Sequence, residues 1–179
     1  VLPNLQAELD ELASDLRDVL NQVHNRGVPF PGSQTMSGSR IFIRPAEQTM
    51  TLDSGGDDVA ITLFDSTGNQ SATTTLETIM TSNLYGTSGS QVQAANGPWT
   101  ITEVAAQVED WLQANGASGA TASIGTDGKM AIALNTTSLN LAFRDEAATA
   151  DGSTAEDVVI SYDANGDGVS DETVSGFSY

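Results

Sequence analysis

Apolar residues recur at steps of three and four near the start of the chain and at steps of two further on. In "NLQAELDELASDLRDVLNQVHNRG" (4–27) they form what we call the apolar row, which comprises Leu5, Leu9, Leu12, Leu16, Val19 or Leu20, and Val23. This spacing keeps side chains on one face of an α-helix. The pattern predicts a long helix from Pro3 to Arg26 with a narrow apolar face, typical of a coiled-coil element.

A change of composition follows this segment. The residues "GVPFPGSQTMSGSR" (27–40) are rich in Gly, Pro and Ser, which favours a linker. We therefore expect two parts in the chain. Residues 1–32 are predicted to be a helical segment, and residues 33–179 a β-rich domain.

Short alternating runs with turn residues between them predict the strands of the second part. "DVAITLF" (58–64) alternates apolar and polar residues, and "DSTGN" (65–69) predicts a turn into a return strand near 72–76. "ATASIGTDGKMAIAL" (120–134) predicts a hairpin with Asp127-Gly128 at the turn. Further strands are expected at 139–143 and 157–162.

One helix is predicted within this β-rich part. In "TITEVAAQVEDWLQANG" (100–116) the residues Thr100 and Glu103 have capping-box spacing. The helix, at about 102–114, is expected to bury a face comprising Val104, Val108, Trp111 and Leu112. The predicted fold class is α+β: a long N-terminal coiled-coil-type helix followed by a mostly antiparallel β domain with one packed helix.

Charge and composition exclude several classes of function. The chain has 24 acidic and 6 basic residues, a formal net charge of −18, so binding to nucleic acid or to an anionic membrane through a basic surface is not expected. The chain contains no run of about 18 apolar residues, so the sequence predicts no membrane-spanning helix. The chain contains no Cys, which excludes disulfides and thiolate chemistry.

Four segments resemble, in the same order, the flagellar hook-associated protein 1 family (FlgK). The N-terminal segment matches the family's helix, where Asn21, His24 and Gly27 occupy a shared pattern. "DVAITLFDSTGN", the helix and hairpin of 100–134, and "VSGFSY" (174–179) resemble later family segments. The resemblance implies a central fragment that lacks the terminal helical core segments, against which the apolar row would pack. Residues 1–32 would then be a helical segment of the axial core domain, and residues 33–179 the β-rich outer domain.

The resemblance also implies a function and partners. It implies a secreted structural protein of the bacterial flagellum at the hook–filament junction, exported by the flagellar export apparatus and needed for motility. The protein would self-assemble without catalysis. The implied partners are identical subunits in a ring, the hook protein and the second hook-associated protein.

Two candidate chemical sites stand out among the residues. His24 is the only histidine, and its place near a helix C-terminus favours a structural role over catalysis. In "DANGDGVSDE" (163–172) the residues Asp163, Asn165, Asp167 and Asp171 have the spacing of a calcium loop, although Val174 stands where a bidentate Glu is expected. No cofactor is expected unless this loop binds structural calcium weakly.

Two alternatives to these interpretations stay open. The loop at 163–171 is also typical of an Asx-rich turn between strands. The alternative function is a calcium-dependent adhesion or carbohydrate-binding module that uses this loop and an exposed ring among Trp99, Tyr85 and Phe64.

Overall fold

The computed structural model describes residues 5–6, 8–13, 16, 32–53, 58–82, 92–145 and 158–175. The strands within these ranges are β1 (Thr35–Ser37), β2 (Thr49–Leu52), β3 (Val59–Asp65), β4 (Gln70–Thr75), β5 (Trp99–Thr100), β6 (Thr121–Ile124), β7 (Met130–Ala133), β8 (Leu139–Asp145), β9 (Val159–Asp163) and β10 (Glu172–Ser175). The helices with described bounds are α1 (Leu76–Thr81) and α2 (Ile101–Ala114).

The strands form three antiparallel sheets. Their orders are β4–β3–β8, β1–β7–β6 and β10–β9–β2–β5. Apolar side chains from all three sheets and from both helices belong to a single hydrophobic core. None of the helices in the described ranges is long and apolar enough to cross a membrane.

Strand β3 lies at the centre of its sheet and is covered on both faces. Every residue from Val59 to Leu63 is buried, although the alternating pattern predicts only one covered face. The buried Thr62 keeps a partner because its hydroxyl lies 2.9 Å from the hydroxyl of Thr73 on β4. The β3–β4 pairing and the turn at 65–69 confirm the predicted strand–turn–strand unit.

The predicted hairpin at 120–134 is also confirmed. Strands β6 and β7 pair across a loop closed by the Gly125 N–H, which donates to the Lys129 carbonyl at 2.8 Å. Gly128 has a φ of +77°, a left-handed conformation that glycine adopts without steric cost. The Asp-Gly signal therefore marked the turn correctly.

Helix α2 begins and packs as the sequence predicts. The Thr100 hydroxyl accepts the Glu103 N–H at 3.2 Å, and the Glu103 carboxylate accepts the Thr100 N–H at 3.1 Å, which completes the capping box. The buried face includes Val104, Val108, Trp111 and Leu112. On another side, the Glu109 carboxylate accepts the Ala122 N–H at 2.8 Å and joins α2 to β6.

The prediction of a long N-terminal coiled-coil-type helix in an α+β fold was wrong. The fold is mostly β-sheet, and the longest helix in the described ranges is the 14-residue α2. In the N-terminal segment the described residues 5–6, 8–13 and 16 are helical, and Leu5, Leu9, Leu12 and Leu16 are between 54% and 62% exposed. Helices gain most of their stability from packing an apolar face, and none of the described residues covers this one.

The expectation of one packed helix was wrong as well. The predicted return strand near 72–76 is present as β4, but it ends at Thr75, and a second helix that was not predicted, α1, begins at Leu76. Thr75 caps this helix, since its hydroxyl accepts the Thr78 N–H at 3.3 Å. Leu76, Ile79 and Met80 are then buried, so tertiary packing decides the conformation of a segment rich in Thr.

Candidate functional site

The loop between β9 and β10 contains the acidic residues that the sequence singles out. Asp163, at the end of β9, is only 3% exposed and accepts three backbone hydrogen bonds. The donors are the N–H groups of Gly166 at 2.6 Å, Asp167 at 3.2 Å and Gly168 at 2.7 Å. Gly166 and Gly168 both have positive φ angles, which turn their N–H groups toward the carboxylate.

Asp171 holds the other side of the same loop. Its carboxylate accepts hydrogen bonds from the backbone N–H of Ala164 at 3.0 Å and the backbone N–H of Asn165 at 3.0 Å. It also accepts one from the side-chain amide of Asn165 at 3.1 Å. Asn165 Oδ1 in turn accepts the Asp167 N–H at 2.8 Å, and Asp167 Oδ1 accepts the Val169 N–H at 2.9 Å. These are the contacts of consecutive Asx turns.

The structure brings all four predicted calcium ligands into one loop, but their oxygens face amide donors. The described residues contain no group of three or more His, Cys, Asp or Glu side chains that could hold a metal ion. A calcium ion needs six to eight oxygen ligands, so it would have to displace the hydrogen bonds of Asp163 and Asp171. The present arrangement does not fit the ion and favours the interpretation of the loop as an Asx-rich turn.

Hydrogen bonding also controls the charge of Asp163. Burial alone would raise the pKa of this carboxyl. The N–H donors of Gly168, Gly166 and Asp167 together outweigh the burial and hold the pKa below its usual value. The carboxylate is therefore charged at neutral pH and stabilises the loop as an acceptor.

The loop is fixed to the rest of the domain by polar side chains from residues 44–48. The Gln48 amide nitrogen donates to the Ala164 carbonyl at 2.6 Å, and the Arg44 guanidinium donates to the Asn165 carbonyl. Gln48 also accepts the Arg44 N–H at 2.8 Å. The acidic loop therefore has well-defined anchors without a metal.

A second polar group, which we call the Arg40 cluster, comprises Arg40, Tyr162 and Glu172. The guanidinium of Arg40 donates two hydrogen bonds to the Glu172 carboxylate, at 2.9 and 2.8 Å, and its central carbon lies 4.0 Å from the Tyr162 ring centroid. The hydrogen bonds and charge of Arg40 lower the pKa of Glu172. The Phe42 ring lies 6.1 Å from Tyr162.

The Arg40 cluster was not predicted from the sequence. Arg40 and Glu172 are 132 residues apart, and no local pattern connects them. The available signal was indirect: "RIFIR" (40–44) contains two of only six basic residues in a strongly acidic chain. Because the chain has so few basic residues and so many acidic ones, each basic residue is a good candidate for a specific ion pair.

Some of the other predicted site residues lie within the described ranges, and some lie outside them. Leu5, Leu9, Leu12 and Leu16 of the apolar row are exposed, as stated above, while Val19, Leu20, Val23 and His24 lie outside the described residues. Trp99 is fully buried and donates its indole N–H to the Ala94 carbonyl at 2.8 Å, so it offers no platform for a sugar ring. Phe64 is half-buried, and Tyr85 lies outside the described residues.

Comparison with known proteins identifies no relative. No protein-family model, curated protein or solved structure matches the chain.

Proposed function

We propose that the chain is a structural component of the bacterial flagellum at the hook–filament junction, where it acts by assembly and not by catalysis. Its partners in this proposal are identical subunits in a ring, the hook protein on one side and the second hook-associated protein on the other. The protein would be extracellular, having passed through the flagellar export apparatus.

The observation that carries an assembly function is the exposure of the apolar row. Leu5, Leu9, Leu12 and Leu16 are helical, separated by four, three and four positions, and more than half exposed. Side chains at these spacings lie on one helix face. Exposed apolar patches on a highly charged chain commonly mark interaction surfaces, and half of the large apolar residues that are exposed in the described ranges belong to this row.

The position at the hook–filament junction depends on the sequence resemblance alone. The four segments quoted above follow the order of the flagellar hook-associated protein 1 family. Two of them form the elements that the resemblance implies, a strand–turn–strand unit at 58–75 and a helix followed by a hairpin at 101–133. The proposal does not require a long helix.

The acidic β-rich part suits an outward-facing spacer in this proposal. A net charge of −18 keeps neighbouring copies apart except where an apolar contact holds them. Self-assembly would then be confined to the apolar row, since repulsion opposes lateral contact elsewhere.

Co-sedimentation tests the junction position. We expect the chain to sediment with polymerised hook protein, and Leu9→Asp to reduce the bound fraction at least tenfold. Gln6→Asp is the matched control, because it adds the same charge to the same segment outside the apolar row and should leave binding unchanged. Binding no greater than to an unrelated polymer would contradict the proposal.

A further inference from the structure

A cavity of about 150 Å³ lies in the core where all three sheets meet helix α2. Its walls include Ile61 of β3, Ile132 of β7 and Ile160 of β9. Helix α2 contributes Val104 and Val108. The cavity is therefore formed by the core elements, reaches the surface at the exposed Ser39, and is distinct from the apolar row and from the loop at 163–171.

The two largest core side chains do not fill this space. The two tryptophans, Trp99 and Trp111, are buried elsewhere in the core and do not line the cavity. On α2, the side chains that line it are the β-branched and therefore rigid Ile101, Val104 and Val108.

The lining favours an apolar occupant over water. Its polar side chains are those of Ser39, Arg40 and Tyr162, and the Arg40 guanidinium is already bound to Glu172 and to the Tyr162 ring. A buried water needs two to four polar partners. An apolar cavity of roughly this volume engineered in another protein stays dry and binds benzene or xenon.

The Arg40 cluster marks the outer end of the cavity. Arg40 lines the cavity, and its side chain is also 28% exposed to solvent. The Glu172 carboxylate already offsets the charge of this guanidinium, which disfavours an anionic ligand at this end.

We propose that this cavity is a binding site for one small, neutral, apolar molecule about the size of a single aromatic ring. The proposal is independent of the flagellar assignment, since it depends only on the core packing. Benzene is the probe of choice because its size and polarity match the lining.

Thermal unfolding and methyl NMR of the full chain with benzene test this site. At a benzene concentration ten times its dissociation constant, we expect the ratio of folded to unfolded protein to rise about 11-fold, with a higher melting temperature. We expect benzene to shift the methyl resonances of Ile61, Ile132 and Ile160. The methyl resonances of Ile43, which is 85% exposed, should not move.

Variants that fill the cavity complete the test. Val104→Phe should abolish the benzene effect, while Val169→Phe, the same change at an exposed loop position, should retain it. Val108→Leu adds less volume and should weaken binding even if Val104→Phe does not fold. The proposal is overturned if benzene leaves the wild-type methyl resonances unmoved, or if folded Val108→Leu binds it as tightly as wild type.

Discussion

At the residue scale, three carboxylates keep their charge by accepting hydrogen bonds. The Thr67 hydroxyl and the Asn69 N–H lower the pKa of Asp65 to about 2, the Arg40 guanidinium lowers that of Glu172, and loop amides lower that of Asp163. Each folded-state pKa lies below its unfolded value. Each of these carboxylates therefore contributes its full stabilisation at pH values above its unfolded pKa. That contribution is lost as the pH falls through its folded pKa.

We therefore expect the free energy of unfolding to decrease as the pH falls from about 4 toward 2. Burial raises the pKa of Asp58, which acts in the opposite direction and reduces the decrease. Urea unfolding at a series of pH values measures the effect, and Asp65→Asn should make the decrease shallower. Parallel curves for Asp65→Asn and wild type would contradict this explanation.

Gln107 provides a second prediction at this scale. It is 1% exposed, and neither atom of its amide has a hydrogen-bond partner in the described part of the chain. A buried polar group without a partner costs about 1–3 kcal/mol. We expect Gln107→Met, which keeps the length of the side chain, to raise the free energy of unfolding by about 1 kcal/mol.

The control for Gln107 lies in the same helix. The Gln113 side chain donates to the Ala120 carbonyl at 2.9 Å, so Gln113→Met should be destabilising in the same urea experiment. A destabilising Gln107→Met would show that the amide of Gln107 contributes favourably after all.

At the element scale, the capping box of α2 is a local feature that the sequence predicted and the structure contains. Removing it should cost about 1 kcal/mol, since Thr100→Ala leaves the Glu103 N–H without its acceptor. Urea unfolding measures the change. Thr102→Ala, at an exposed position in the first turn, should change stability by less than about 0.5 kcal/mol, and equal losses for the two variants would contradict a capping role.

The loop at 163–171 yields a prediction about metal. Because its carboxylates accept loop amides, we expect millimolar calcium to leave the melting temperature within about 1 °C of its value in magnesium. An increase of several degrees that is specific to calcium, and absent from Asp163→Asn, would show that the loop rearranges around the ion.

The elements that could be predicted from sequence are those with a local cause. The strand predicted from 58–64 and the Asp127-Gly128 turn both have causes within a few residues, and both are found in the structure. The long helix was predicted from the periodicity of apolar residues. This periodicity does not show whether a partner is present to cover the apolar face. The short helix α1 was missed because packing, not local propensity, determines it.

At the scale of the whole molecule, the strand order could not be predicted. Thr49 of β2 pairs with Thr100 on one side and with Asp163 on the other, which are distant segments of the chain. The Arg40 cluster and the core cavity likewise depend on contacts between distant segments. These features arise from how the sheets meet, and no spacing in the sequence encodes them directly.

The central claim at this scale is that the chain assembles through the apolar row. Its exposed leucines and high net charge together predict association at one surface and repulsion elsewhere. The most direct measurement is the molar mass in solution by light scattering, over a wide range of concentration, for wild type, Leu9→Asp, Leu16→Asp and the control Gln6→Asp.

The account predicts that wild type and Gln6→Asp reach at least twice the monomer mass of 18.6 kDa. Leu9→Asp and Leu16→Asp should remain monomeric at the same concentrations, since a buried unpaired charge would oppose the contact. A wild-type chain that stays at 18.6 kDa throughout, or one whose association survives both Asp substitutions, would contradict assembly through the apolar row.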